Sequence, residues 1–317
     1  MIGYPKKYCP ILKEWLAVII LLMGQLGYMF AQQEPMLNQY IFNGIFLNPA
    51  FAGSHPYLNS TVIRRDQWLS FPGAPKTNFF TLDGALLKRK TGLALIVVND
   101  KIGSSSQNDF YGNYSYYIPI GTGKLALGMK AGLSHYNVRF SELKVWDSGD
   151  NSFITDRVTG LVPKVGTGAY YYSEKFFLGF SVPALLAFKS LAGNLDQTAP
   201  YRAQKHYYLT GGMVFGINQT VTIKPSFLLK YANAAPWQAD LNLQSCFNNS
   251  IWFGVSYRSG YALVFLAEYQ LLAKLRIGYG YDLPLNSISR YLGSTHELML
   301  SYDFLHESIR TVNPRYF

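Results

Sequence analysis

Polar and apolar residues alternate one by one over stretch after stretch of this chain. In Asp240–Phe247, Leu241, Leu243 and Phe247 fall on one face, while Asp240, Asn242 and Gln244 fall on the other. Lys274–Asp282 sets Leu275, Ile277, Tyr279 and Tyr281 against Lys274, Arg276 and Asp282, and Glu297–Phe304 repeats the pattern. Successive side chains of a β-strand point to opposite faces, so each stretch reads as a strand with one apolar and one polar side, a sorting that no helix achieves. About fourteen such segments follow one another, at the spacing of an all-β chain. They begin near Leu58, Lys76, Lys90, Gln107, Lys124, Leu161, Lys175, Lys205, Gln219, Trp237, Ser250, Gly260, Ala273 and Thr295. A tilted membrane strand needs about 9–11 residues, and that many strands with their turns use up most of the chain.

The connections predict how the strands close. Bacterial outer-membrane barrels have short periplasmic turns and longer extracellular loops. A chain entering its first strand from the periplasm must then join even to odd strands tightly. Lys88-Arg89, Ile120–Gly123, Ser173-Glu174, Asn218, Asn248-Asn249 and Leu272 meet that demand, while Arg139–Gly160, Ala187–Gln204 and Pro284–Ser294 are long and join odd to even strands. This parity predicts an all-β, transmembrane antiparallel β-barrel of the outer-membrane type over residues 58–304, not a β-sandwich. Two places fit less well. Arg64 and Arg65 are adjacent and cannot both face a lumen, so both are expected at the outer rim, where the lipid-facing cost is small. Pro225 lacks a ladder donor and predicts a bulge or a local bend.

The N-terminus reads as a targeting segment. Lys6, Lys7 and Lys13 precede the apolar run Trp15–Met23, and Ala31 is followed by Gln32-Gln33, the order of a cleavable secretory signal peptide. Gly24, Gln25 and Gly27 interrupt the run, which falls short of the roughly 20 apolar residues of a membrane helix. Residues 1–31 are therefore expected to be a signal peptide and 32–57 an irregular segment at the periplasmic mouth or tucked into the lumen. Residues 305–317 are expected to be a tail ending on Phe317.

Composition supports export into lipid. Hydrophobic residues make up 49%, aromatics 16% and charged residues only 15%, against about 25% charged in a soluble protein. A barrel has a use for its 25 tyrosines and 21 phenylalanines, in two interfacial girdles and an uncharged lipid-facing band. Once the leader is removed, Cys246 stands alone and no intrachain disulfide forms. The net charge of +10 drops to +8 when Lys6, Lys7, Lys13 and Glu14 leave with the leader. The remaining basic residues are dispersed, with no run beyond Lys88-Arg89-Lys90. Lipid head groups or an acidic passenger fit that distribution better than a nucleic acid does.

Little chemistry is encoded. His55, His135, His206, His296 and His306 are scattered and form no metal-ligand pattern. Ser134-His135 and His296-Glu297 are the local candidates for a hydrolase, but strand neighbours point to opposite faces. Gly121-Thr122-Gly123 and Gly166-Thr167-Gly168 lack the helix and lysine of a phosphate loop, so they read as turn and strand glycines. No catalytic residue, cofactor or metal site is expected. Lys130, Lys224, Lys230, Asp240, Glu268, Arg276 and Asp282 fall on the inner face and line a lumen. Fourteen strands lie between the filled eight-stranded barrel and the open channel of 16–18 strands, so the lumen is open, partly filled or plugged.

Specific words in the chain add to the periodicity. Asn38–Asn43 followed by Leu47-Asn48-Pro49-Ala50-Phe51-Ala52-Gly53-Ser54 resembles the opening of the PorP/SprF family. Arg65-Asp66-Gln67-Trp68 through Gly73-Ala74-Pro75-Lys76-Thr77 is similar to that family's R-x-Q-W…G-A-P-x-T stretch. Gly92–Leu95 through Asn99-Asp100-Lys101-Ile102-Gly103, then His296–Tyr302 and Pro314–Phe317, are similar to its later segments. Pro72 departs from the pattern, where an acidic residue precedes the glycine. The resemblance implies an outer-membrane component of the type IX secretion system of Bacteroidetes, not an enzyme. Such components help to export, bind or display a surface protein with a C-terminal secretion signal, in some cases an adhesin of gliding motility. It implies contact with outer-membrane lipid and other secretion-system components, with Arg65, Gln67, Trp68, Gly73, Pro75 and Thr77 in a rim loop that binds the partner. Asn48, Pro49, Gly53, Asp100 and Gly103 would be structural motif residues. The plainer reading of the loop is that its Pro and Gly set a turn and Trp68 joins the aromatic girdle. A general porin or ligand transporter is the competing function.

Overall fold

Nearly every strand of the computed structural model is hydrogen-bonded antiparallel to its sequence neighbours. The structure describes residues 35–55, 57–86, 90–140, 156–195, 204–233, 235–285 and 289–304. The expected leader (1–31), the expected tail (305–317) and the middle of the longest connection (141–155) lie outside them. The strands are β1 (Asn59–Asp66), β2 (Lys76–Leu86), β3 (Thr91–Ile102), β4 (Ser105–Ile120), β5 (Gly123–Arg139), β6 (Arg157–Tyr172), β7 (Phe176–Ala187), β8 (His206–Met213), β9 (Phe215–Gly216), β10 (Val221–Ala232), β11 (Gln238–Phe247), β12 (Ile251–Arg258), β13 (Ala262–Leu272), β14 (Leu275–Pro284) and β15 (Thr295–Asp303). β8 and β9 both pair with β10 and act as one wall strand. β1 pairs with β15, Asn59 opposite Asp303, so a barrel of 14 strands closes on itself.

Closure leaves two kinds of surface, and alternation assigns them. In β12, Ile251, Phe253, Val255 and Tyr257 are exposed while Trp252, Gly254, Ser256 and Arg258 are buried. Around the wall Val62, Leu95, Phe110, Met129, Phe180, Leu243 and Phe253 form part of an exposed apolar band. Such a surface would aggregate in water, whereas lipid solvates it. Among the described residues no helix is long and apolar enough to cross a membrane.

The mouth with the tight turns follows the sequence reading. β4 and β5 are joined at Gly121-Thr122, and β13 and β14 at Ala273-Lys274. Asn248 and Asn249 between β11 and β12 have φ of 50° and 53°, the left-handed pair that matches hairpin twist. The other mouth carries the long connections but not them alone. Gly103-Ser104 and Ser259–Tyr261 are short turns there, so loop-length parity holds in one direction only. On that side of the wall β4, β5 and β6 run for 16, 17 and 16 residues, so height comes from strand where a loop was expected.

Both local exceptions resolve. Arg64 and Arg65 point to opposite faces. Arg64 is exposed beside Asp66 (Nε to Oδ2, 2.8 Å), whereas Arg65 is only 4% exposed and faces the lumen, which corrects the expectation that both sit at the outer rim. Pro225 causes an interruption without a slip. Gly212 pairs with Ser226 and Phe215 with Ile223 in one unbroken register, and the ladder fails only between them, opposite the missing proline donor. On its other side Val214 N donates to the Lys175 carbonyl at 2.8 Å, in register with the β7–β8 ladder.

Candidate partner-binding site: a plugged lumen and its rim loop

The lumen is filled by the chain's own N-terminal segment. Three single-turn 3-10 helices, Gln39–Ile41, Gly44–Phe46 and Pro49–Phe51, occupy it. Asparagine side chains start two of them. Asn43 Oδ1 accepts from Ile45 N at 3.4 Å and Asn48 Oδ1 from Ala50 N at 2.9 Å, satisfying donors that a short helix leaves open. Pro49 takes the first helical position, where no donor is required. The segment thus meets many of its own backbone needs and enters the interior without adding a strand.

The wall is cut to receive it. A Cβ on Gly92 would lie 1.9 Å from the Ala52 carbonyl oxygen, one on Gly128 would lie 2.2 Å from Ala50 N, and one on Gly168 would lie 2.2 Å from Asn48 Oδ1. Bare backbone on β3, β5 and β6 therefore forms the groove for the Asn48–Gly53 turn. Ser115 and Tyr117 donate to the Ala52 carbonyl at 2.6 and 2.5 Å, and Ser181 donates to the Leu47 carbonyl at 2.6 Å. Apolar packing completes the seat: Leu37, Ile45 and Ala52 join Ile63, Phe79 and Ile96, while Tyr40, Ile41 and Leu47 join Leu228 and Leu266. Phe51 lies 4.1 Å from Tyr170, centroid to centroid.

Near the long-loop mouth the plug also carries charge balance. Arg65 bridges Asp282 (2.9 Å) and Glu297 (2.9 Å), and Arg258 bridges Asp240 (3.1 Å). Two guanidinium groups thus face three carboxylates. The plug supplies the remaining donors: Asn38 N and Gln39 N bind Glu297 at 3.0 and 2.8 Å, and the Asn38 amide donates to Asp282. Buried charges persist only when paired and hydrogen-bonded, and here the set is completed by backbone from the plug. At the tight-turn mouth Arg276 lies 3.6 Å from Glu268 and 3.6 Å from Asp303. His55 contacts Asp83 at 3.0 Å and pins the end of the plug.

All seven expected inner-face residues, Lys130, Lys224, Lys230, Asp240, Glu268, Arg276 and Asp282, are buried inside. Two of them bind the plug directly: Lys224 Nζ donates to the Ile41 carbonyl at 3.5 Å, and Asp282 accepts from the Asn38 amide. A cavity of about 40 Å³ lies beside the plug, lined by Tyr40, Leu47, Phe177, Thr210, Lys224 and Asn242 among others.

The expected rim residues separate into two groups. Arg65 and Thr77 are buried in the wall, and Thr77 Oγ1 donates to Asp100 at 2.6 Å. Gln67 and Trp68 lie in the loop between β1 and β2, where Gln67 N donates to the Pro75 carbonyl at 3.0 Å. Trp68 is half-buried with a φ of 50°, and its Nε1 donates to Tyr261 Oη at 3.0 Å. It latches the loop to a neighbouring turn. Gly73 has a φ of 76°, and its carbonyl accepts from Gly103 N at 2.9 Å. Two sequence words are thereby joined, through Gly73 with Gly103 and Thr77 with Asp100. Nothing in the spacing along the chain announced that pairing, nor that Leu69 and Phe71, 58% and 50% exposed, would be the loop's outward apolar residues.

No cluster of three or more potential metal ligands exists among the described residues. Ser134 is buried while His296 is on the outside, bound to Tyr279 Oη at 2.6 Å.

A closed barrel with an apolar belt, tight turns at one mouth and a plug folded into its lumen defines the outer-membrane β-barrel class. Within that class the chain belongs to the PorP/SprF family of type IX secretion system membrane proteins, whose family model matches residues 29–302. This bears out the resemblance seen in the sequence. Among solved structures the chain is similar to the toluene transporter TbuX of Ralstonia pickettii, at 8% identity and a TM-score of 0.50, over 83% of this chain and 94% of that one. It also matches a FadL homologue of Pseudomonas aeruginosa at 12% identity and a TM-score of 0.43, over 87% and 96%. Likeness at such identity concerns the fold alone. No curated protein matches the sequence. The family and the fold are those of a membrane barrel of the secretion system, not of an enzyme class.

Proposed function

We propose that this barrel binds an exported surface protein carrying a C-terminal type IX signal and retains it at the long-loop mouth. Membership of the secretion family supports the reading, and the observation that carries it is the filled lumen. A barrel whose bore is packed with its own chain is poorly suited to bulk diffusion and well suited to be a rigid anchor. Under this reading the tight-turn mouth faces the periplasm of a Gram-negative cell, and residues 1–31 are the leader that sends the chain there. The loop holding Gln67, Trp68, Gly73 and Pro75 offers Leu69 and Phe71 to the partner, while Arg65 and Thr77 hold that loop's base. An adhesin of gliding motility is the expected type of passenger.

Affinity purification from outer membranes, with mass spectrometry of surface proteins, tests it. A surface protein bearing the C-terminal signal should co-purify, and less of it should remain on cells lacking this chain. Recovery of the barrel alone, with unchanged surface proteins in its absence, would sink the reading. The competing porin or ligand-transporter function is separated by conductance in a planar bilayer, where a silent intact barrel is expected.

A further inference from the structure

The outer face is not uniform around the long-loop mouth. On β12, β13 and β14 the outward residues at that end are Tyr257, Leu263 and Leu283, an apolar and aromatic rim. On β1 to β5 the rim is polar and basic. Cross-strand register orders this sector into three outward rows. Val62, Phe80, Val97, Phe110 and Leu133 lie opposite one another in turn and belong to the apolar belt. One alternate position nearer the mouth, about 7 Å along the strand, the row is Arg64, Asn78, Asn99, Asn108 and His135. Above it come Asp66, Lys76, Lys101, Ser106 and Asn137.

The middle row is a ladder of amides. Asn78 Nδ2 donates to Asn99 Oδ1 at 3.4 Å, and Asn99 Nδ2 donates to Asn108 Oδ1 at 2.7 Å. Amides turned toward hydrocarbon are costly, so this row marks where the acyl region ends. The upper row gathers positive charge. Lys76 and Lys101 are exposed and stand directly opposite each other. Arg139 and Arg157, also exposed, do the same on β5 and β6. Like charges at opposed positions of an antiparallel pair destabilise it, and here two such pairs share one mouth. Asp66, opposite Lys76 on β1, is engaged by Nε and Nη2 of Arg64 at 2.8 and 3.0 Å. Arg157 Nε donates to Asn137 Oδ1 at 2.6 Å, an acceptor without charge. Against these cations the mouth of this sector offers the carboxylates of Asp66 and exposed Asp156 among the described residues.

The sequence of rows selects an occupant. A phosphate between opposed ammonium groups, on strands about 4.8 Å apart, turns their repulsion into charge-assisted hydrogen bonds. An acidic peptide would meet the cations but not the apolar row beneath them. A simple phospholipid brings acyl chains and one phosphate, but no sugar for a ladder of three amides. A phosphorylated glycolipid presents all three groups in the same order.

We propose that the outer wall of β1–β5 at the long-loop mouth binds a phosphorylated glycolipid of the lipid A type, with a phosphate between Lys76 and Lys101. Sugar hydroxyls meet Asn78, Asn99 and Asn108, and acyl chains lie along Val62, Val97 and Phe110. The site depends on the reading that the long-loop mouth faces the cell exterior, and on no particular passenger.

Native mass spectrometry of the intact chain in detergent, titrated with diphosphoryl lipid A, tests it. One lipid A per barrel is expected, and Lys76→Gln with Lys101→Gln should weaken binding at least tenfold. Lys124→Gln with Lys175→Gln, exposed at the tight-turn mouth, should leave it unchanged. Lipid A stripped of its phosphates, and phosphatidylglycerol, should each bind at least tenfold more weakly than the intact glycolipid. Undiminished binding by the Lys76 and Lys101 variant, or equal binding of phosphatidylglycerol, overturns the site while the passenger reading stands. If that variant keeps its lipid A and instead loses the surface passenger, the cations serve an acidic protein and this site falls likewise. Orientation is read separately, by impermeant maleimide on intact cells carrying Ser104→Cys or Thr122→Cys in a Cys246→Ser background. Ser104→Cys should label and Thr122→Cys should not. The reverse would overturn both this site and the placement of the passenger at the long-loop mouth.

Discussion

Arg64 and Arg65 are neighbours in sequence and stand in different solvents. Arg64 is a surface ion pair, and such pairs contribute roughly 0–1 kcal/mol; Arg64→Met should barely move the urea midpoint for unfolding in detergent. Arg65 is the shared partner of Asp282 and Glu297. Removing one member of a buried set strands the others, at a cost of about 3–5 kcal/mol. Arg65→Met should therefore lower that midpoint strongly, and an equal effect of the two variants would refute the lumen placement. Gly128 makes a different demand, for space. Gly128→Val puts side chain where Ala50 N now sits, so the plug must leave its groove while the ladder of β5 survives. Proteolysis at 35–55 should accelerate with no loss of β-sheet circular dichroism.

At the scale of elements, the plug and the turns obey different rules. The plug has no periodicity, because its side chains answer a curved interior surface and not a single face. It is recognisable by the family words of Asn38–Asn43 and Leu47–Ser54 and by its place before the first strand. Deleting Met36–Ser54 should leave a folded barrel that conducts in a planar bilayer where the intact protein is silent. Conductance equal in the two forms would show that the segment does not close the bore. The β1–β2 loop is held at several points, among them the Trp68 indole on Tyr261 and the Leu69 and Ser70 N–H groups on the Ser294 and Leu292 carbonyls. Trp68→Phe keeps the ring and loses the donor, so chymotryptic cleavage after Leu69 in that loop should quicken by a factor of a few, consistent with a neutral hydrogen bond of about 1 kcal/mol. The turn at Asn248-Asn249 is the opposite case: the sequence reads a tight turn there, and asparagine is one of the few residue types that tolerate its left-handed backbone.

Over the whole molecule, the outer face and the lumen exchange the usual roles of surface and core. The exposed residues are the apolar ones, and the buried ones include five charged groups in one cluster. The barrel gains its rigidity from ladder closure and from a plug that touches β2, β4, β6, β7, β11 and β15 by side-chain or backbone hydrogen bonds.

The number of strands, their starts within a few residues, the tight-turn mouth and the family itself were legible in the sequence, since alternation at period two and short motif words are local properties of a chain. The inward position of Lys130, Lys224 and Asp240 followed from the same alternation. The sequence leaves the state of the lumen open and puts Arg65 at the rim. Both turn on contacts made across the barrel, from Asn38 to Glu297 or from Gly128 to Ala50, between residues far apart in the chain. The meeting of Gly73 with Gly103 is of the same kind. Periodicity fixes which way a side chain points; only closure of the sheet decides what it meets there.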